Sequence, residues 1–192
     1  KGINLQPSEL VFSDVTPIKP PNGKFGVLMV GLGAVASTFI AGVEHVRKGM
    51  GQPIGSLTQM ATIRLGKRSD NNTPLIRNFV PLADLDQMVF GAWDPIPDNA
   101  YQAALKSGVL DRYTDIEPIG DFLRAIEPMP AIFDADYVKR IDGTNVKTAP
   151  TKLELVNILR EDIRRFKANH DCDRLVMIWS ASTEKFIDQT DV

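Results

Sequence analysis

Cysteine is nearly absent from this chain of 192 residues: Cys172 stands alone, so no intrachain disulfide can close and nothing calls for an oxidising compartment. Histidine is almost as scarce, with only His45 and His170. A zinc site needs three or four ligands at suitable spacing, so His170, Asp171 and Cys172 read as a polar helix-to-strand turn, and no metal is expected. No run of roughly 18 apolar residues occurs, and the first residues have no cationic stretch leading into an apolar one. Neither a membrane span nor a secretory signal is therefore visible. An excess of one charge is missing too: a net charge of -2 leaves no basic surface to attract a phosphate backbone or an anionic membrane. Nucleic acid and membrane are not expected partners, and the cytoplasm is the default location.

What is present suits one folded domain. A hydrophobic fraction of 43% against 24% charged residues is ordinary for a globular chain, and 192 residues bury one substantial core. The chain opens on Lys1 rather than Met and ends on Val192 after a polar segment, so a truncated protein is expected. Residues 1–24, with Pro7, Pro17, Pro20, Pro21 and Gly23, suit an extended N-terminal arm ending in a turn. Residues 25–30 form a nearly continuous apolar run, as in a parallel strand covered on both faces. From Ala34 the apolar Val35, Phe39, Ile40, Val43 and Val46 recur at helical spacing until Gly49 and Gly51 stop the helix.

Residues 57–65 read as another extended segment and residues 66–74 as a loop. A second strand-to-helix unit has its strand at 88–91, turns at Trp93, Asp94 and Pro95, and enters a helix near Asp98 that runs to Gly108. Further on, Thr151 and Glu154 stand at capping-box spacing before the stripe Leu155, Ile158, Leu159, Ile163 and Phe166, with Glu161 and Arg165 spaced as an ion pair. Residues 175–179 read as a closing strand. Strands and helices alternate, which predicts an α/β fold, a Rossmann-like, doubly wound, mainly parallel sheet over residues 25–192.

Between the first strand and helix, Gly31, Gly33 and Ala36 take the G-x-G-x-x-A form of a dinucleotide-binding turn. Gly31 permits the tight turn, Gly33 lets a pyrophosphate approach the backbone, and Ala36 lets helix and strand pack closely, leaving the free helix amides to face the anion. Ser37 and Thr38 are candidate hydroxyl donors. The acidic residue usual about 20 positions later, on the adenosine ribose, is missing. Lys67 and Arg68 follow the presumed second strand instead, which suggests NADP and an ordinary reductase domain. Alternatively, an insertion displaces the second unit and Asp94 takes the ribose role.

Several spaced segments together resemble the myo-inositol-1-phosphate synthase family: the glycine turn VGLGAVAST, GAWDP followed by NAYQAALKSGVL, PMPAIFDADYV, and MIWSASTEKF at residues 177–186. The resemblance covers nearly the whole chain after its first residues. It implies a homo-oligomeric, tetrameric enzyme that isomerises glucose 6-phosphate to an inositol phosphate by oxidation, intramolecular aldol closure and reduction, with NAD regenerated in each cycle. It also implies that Gly31, Gly33, Ala34 and Val35 meet the pyrophosphate, Asp94 the adenosine ribose, and Ser180 and Ala181 the nicotinamide side, with Ala131 lining the same cleft. Two departures stand out. Ala34, Val35 and Ala36 replace a turn that often holds two asparagines, and Ser182 replaces another asparagine. The lysine-rich sugar-phosphate segments and the second, oligomerising domain have no counterpart before Val192, so this chain is expected to be the N-terminal part of a larger two-domain enzyme, with no catalytic residue of its own and no turnover alone. A non-catalytic nucleotide-binding module is the reading from another class.

Other residues have ordinary explanations. Glu44 and His45 resemble an acid-base couple but lie far from the turn, so a surface role is expected. Asp134 and Asp136 alternate as a carboxylate pair would on a strand, yet aspartates commonly occupy solvated turns. Trp93 and Trp179 border the cofactor segments and are read as space-filling aromatics.

Overall fold

A computed structural model describes residues 22–138 and 141–181 of the chain. Most of the expected arm at 1–24, as well as Ser182 and the last part of segment 177–186, lies outside the described residues. In chain order the regular elements are β1 (Lys24–Val30), α1 (Ala34–Arg47), α2 (Leu57–Met60), α3 (Ile76–Phe79), β2 (Met88–Asp94), α4 (Ala100–Ser107), α5 (Gly120–Arg124), β3 (Pro128–Pro130), α6 (Lys152–Asn169) and β4 (Cys172–Trp179). The four strands form one parallel sheet in the order β3-β2-β1-β4. Strand order reverses between β1 and β4, the point of a doubly wound sheet where a crevice opens beyond the carboxyl ends of the strands.

Both faces of the sheet are covered, which is why its central strands read as unbroken apolar runs. Val27, Met29, Phe90 and Ala92 point toward α1, α4 and the turns before α5, packing against Ile40, Ala104, Ile116 and Leu123. Leu28 and Trp93 point the other way, toward Phe166, Leu159 and Ile163 of α6. Phe166 reaches the sheet because Gly26 and Gly91 lie beneath it: a Cβ at Gly91 would stand 2.6 Å from its ring.

Helix signals in the sequence translate directly. In α6, Thr151 Oγ1 accepts from the Glu154 amide at 3.2 Å and the Glu154 carboxylate accepts from the Thr151 amide at 3.0 Å, completing the capping box. In α4, Asn99 caps the first turn and Gly108, at φ +63°, ends the helix in the left-handed region that favours glycine.

Three expectations need correction. Residues 57–65 are not a strand: α2 is one helical turn, and the remainder makes only an isolated bridge between Thr62 and Leu75. The places on either side of β1 are filled by β2 and β4, so this excursion between α1 and β2 stays outside the sheet, with Ile54 and Leu57 exposed. The second strand continues past Gly91 to Asp94, carrying that carboxylate to the carboxyl edge of the sheet. Finally, Glu161 pairs with Arg164 rather than Arg165, because Arg165 bonds to Asp162.

Asp162 was not anticipated. It lies on the sheet-facing side of α6, 2% exposed, and accepts from the Trp93 indole N–H at 2.9 Å and from Lys147 Nζ at 2.8 Å. Burial alone would raise its carboxyl, but the hydrogen bonds from Lys147 and Trp93 and the Lys147 charge outweigh that, and its pKa falls below the ordinary value. The unfolded chain therefore takes up this proton first, so the contribution is present above the ordinary carboxyl range and is lost as pH falls through the lower folded value. Asp162→Asn should cost about 3 kcal/mol at neutral pH by leaving Lys147 uncompensated. It should also flatten the fall in stability below about pH 4. Thermal unfolding of both chains across the acid range checks this, and parallel pH curves would contradict it.

Candidate dinucleotide cleft

The carboxyl ends of β1, β2 and β4 meet at the glycine turn. Gly31 sits at φ +95°, a conformation that L side chains rarely adopt, and a Cβ there would come within 2.9 Å of the Ala181 backbone. The Gly31 amide donates to the Trp93 carbonyl at 2.8 Å, binding the turn to β2. On the other side the Ser180 amide donates to the Val30 carbonyl at 2.9 Å and its hydroxyl to the Gly31 carbonyl at 3.0 Å. One residue thus ties the turn to both neighbouring strands.

α1 begins immediately beyond. Its first-turn amides have no acceptor within the helix, Gly33 at the N-cap has no side chain to bond them, and no acidic residue stands in the first turn. Gly33, Ala34 and Val35 are exposed, and a Cβ added to Gly33 would meet nothing within 4 Å. Ala36 is fully buried against the sheet, as close helix packing requires. The hydroxyl donors proposed at the next two positions do not reach the turn. Ser37 is buried and bonds back to the Ala34 carbonyl, while Thr38 lines a separate hollow with Phe39, Pro53 and Met88.

Asp94 faces the start of α1 from the end of β2. One carboxylate oxygen accepts from the Leu32 amide at 2.6 Å and the other from the Ile96 amide at 2.9 Å. A carboxylate has about four lone-pair sites, so each oxygen keeps one free for a hydroxyl. Lys67 and Arg68 belong to the excursion between α1 and β2, in a short turn of the chain off the sheet, so the basis for an NADP reading is gone. The strand beside β1 ends in an acid, Asp94.

A cleft of about 470 Å³ joins these groups, lined by Gly31, Gly33, Asp94, Ala131, Ser180 and Ala181. It brings together the predicted site residues except Ala34, which lines the adjoining hollow beside Asp94, and Val35, which stands exposed one step into α1. An open glycine, uncapped helix amides and a carboxylate at the strand end are the donor and acceptor set that a dinucleotide's pyrophosphate and ribose require, so the residues present fit NAD. Sequence reasoning missed the far wall, Ile132, Phe133 and Tyr137, because it follows a three-residue strand and has no periodic signature.

The other candidates resolve as local structure. Asp134 accepts from the Asp136 and Tyr137 amides and shapes a turn, so the two acids are not a strand pair. His45 bonds to the Asp115 carbonyl at 2.6 Å, near the opposite end of α1 from the cleft. His170 packs on Phe166, and burial pushes the Cys172 thiol above its ordinary value. Trp93 is buried as expected, whereas Trp179 is 63% exposed on the cleft wall, because β4 is an edge strand among the described residues.

Comparison with known proteins gives a consistent picture. Residues 25–192 match the family model described as myo-inositol-1-phosphate synthase. The chain is 50% identical over 175 residues to inositol-3-phosphate synthase 1 of Bacteroides thetaiotaomicron, covering 91% of this chain and 40% of that protein. It is 31% identical over 197 residues to inositol-3-phosphate synthase isozyme 1 of Arabidopsis thaliana, covering 95% of this chain and 38% of that one. A crystal structure of inositol-3-phosphate synthase from Caenorhabditis elegans superposes with a TM-score of 0.75 at 28% identity, over 90% of this chain and 36% of the other. The chain therefore spans about 40% of the length of the curated relatives it matches.

The two glycines of the turn should respond differently to a methyl group. Gly31→Ala combines a positive φ with a backbone approach of 2.9 Å and should destabilise the chain by about 2 kcal/mol or more. Gly33→Ala, at φ -90° with open space around it, should stay within about 0.5 kcal/mol of the parent. Urea denaturation of the two variants decides, and equal losses would refute this account of the turn.

Proposed function

The chain belongs to the myo-inositol-1-phosphate synthase family, and from that premise we propose that residues 25–192 form an NAD-binding domain whose dinucleotide lies across the β1/β4 crevice. The observation that carries this reading is the joint geometry of Gly31, Gly33 and Asp94 around the start of α1. Bound NAD would supply a hydride acceptor and, later, a hydride donor. The amides of Gly33, Ala34 and Val35 would hold the pyrophosphate at the positive end of α1, and Asp94 would accept the adenosine ribose hydroxyls. Ala131 on one side and Ser180 and Ala181 on the other would bound the nicotinamide half and keep water from it.

By the same reading the whole enzyme converts glucose 6-phosphate to an inositol phosphate. Its lysine-bearing sugar-phosphate site and its oligomerising domain would lie in the larger share of the relatives' length that this chain does not span. A tetramer in the cytoplasm fits that assignment. Among the described residues no helix is long and apolar enough to cross a membrane.

Calorimetric titration of the 192-residue chain is the direct test. NAD should bind at least tenfold more tightly than NADP, about 1.4 kcal/mol, because the Asp94 carboxylate repels a 2′-phosphate. Gly33→Asp should abolish binding by putting a carboxylate where the pyrophosphate sits, with stability retained. No binding of either nucleotide, or tighter binding of NADP, would overturn the proposal.

A further inference from the structure

Residues 143–147 cross the carboxyl ends of β2 and β3 like a strap. Gly143 lies so close to the turn after β2 that a Cβ would be 2.8 Å from that of Pro95. The Asn145 amide donates to the Pro95 carbonyl at 2.8 Å, and its own carbonyl accepts from the Ala131 amide at 3.0 Å. The Lys147 amide returns to the Ala131 carbonyl at 2.8 Å, while its ammonium reaches Asp162 beneath the sheet. Between these backbone links the Asn145 side chain donates to the Asp94 carbonyl at 2.9 Å and to the Pro128 carbonyl at 3.3 Å.

The chemistry of this contact is specific. β3 is only three residues long and pairs with Ala92–Asp94 of its neighbour, so the sheet ends where Asp94 must be held. A primary amide presents two N–H donors and no charge, so one side chain can pin a carbonyl of each strand. An aspartate there would set a carboxylate against two carbonyls, and an alanine would leave both without the donor. The pinned peptide is that of Asp94 itself, whose side-chain oxygens are fixed by Leu32 and Ile96. Resting on the dinucleotide reading above, we infer that Asn145 is a positioning residue for the adenosine half of the cofactor: it locks the Asp94 peptide to β3 and thereby holds the Asp94 carboxylate against the glycine turn. Its contribution is preorganisation, with no contact to the nucleotide required.

Two measurements on the 192-residue chain test this. In the nucleotide-free chain, Asn145→Ala should speed amide hydrogen exchange at Leu32 and Ile96 by about tenfold while Val27 and Leu28 in the strand core keep their protection. For NAD affinity, Asn145→Ala should weaken binding by about tenfold in the parent, but by less than about twofold in an Asp94→Ala background, since the effect runs through that carboxylate. Asn145→Ser, which keeps one donor, enters the same cycle if the alanine variant does not fold. Equal losses in both backgrounds, or unchanged exchange at Leu32 and Ile96, would overturn the inference. A parent chain that binds no NAD would instead overturn the dinucleotide reading, and with it the purpose assigned to Asn145.

Discussion

The chain can leave β1 and enter α1 only through a left-handed residue with no room for a side chain, and much of the molecule follows from that constraint. Gly31 satisfies it, with the Ala181 backbone pressed against the position a Cβ would take. Because the turn is that tight, α1 starts at the sheet edge and its free amides face the crevice rather than solvent beyond the fold. The Leu32 amide, freed from the sheet, finds Asp94, and Ser180 finds the Gly31 carbonyl. Three strands distant in sequence are joined through hydrogen bonds around one glycine, so the site and the fold share a single geometric origin.

The opposite face of the sheet is organised by a charge. Asp162 is buried with Lys147 and Trp93, an arrangement whose desolvation cost offsets much of its Coulombic gain. Its physical merit is directional. An apolar cluster would leave Trp93 and the strap free to slide, whereas a carboxylate accepting an indole N–H and an ammonium fixes where each lies. Trp93 immediately precedes Asp94, and Lys147 ends the strap that begins near Pro95. The buried network therefore supports the end of β2 from below while Asn145 holds it from the edge.

Local signals in the chain were legible where they act locally. The Gly31-Gly33-Ala36 turn, the capping box at Thr151, and the stripe through Leu159, Ile163 and Phe166 each depend on residues within a few positions of one another. Reading residues 57–65 as an extended segment failed because a short run does not show whether a sheet partner exists, and here one helical turn and a lone bridge from Thr62 to Leu75 form instead. Asp94 was visible as a ribose candidate, but that it ends the strand beside β1 while Lys67 and Arg68 lie off the sheet required strand order. Asn145, Lys147 and Asp162 gave no sign at all, since the contacts that tie them to the sheet and to one another, Asn145 to Asp94 and Pro128 and Asp162 to Lys147 and Trp93, span 15 or more residues, and a lone polar residue on a helix stripe ordinarily reads as a solvated position. Long-range polar contacts leave no periodic trace in a sequence.

The side chains of the turn explain why such distant contacts matter here. Ala34, Val35 and Ala36 bring no hydrogen-bonding group, Ser37 is turned back on its own helix, and Gly33 has none to offer. Recognition of a pyrophosphate would rest on backbone amides, whose strength depends on the direction and distance of the helix start rather than on any residue that can adjust its rotamer. A site built in this way would depend less on the side chains at 34 and 35 than on the placement of the strands that frame it. Affinity would then depend on the groups that hold Gly31 and Asp94 in register, and the hydrogen bonds that do so come from Ser180, Leu32 and Asn145.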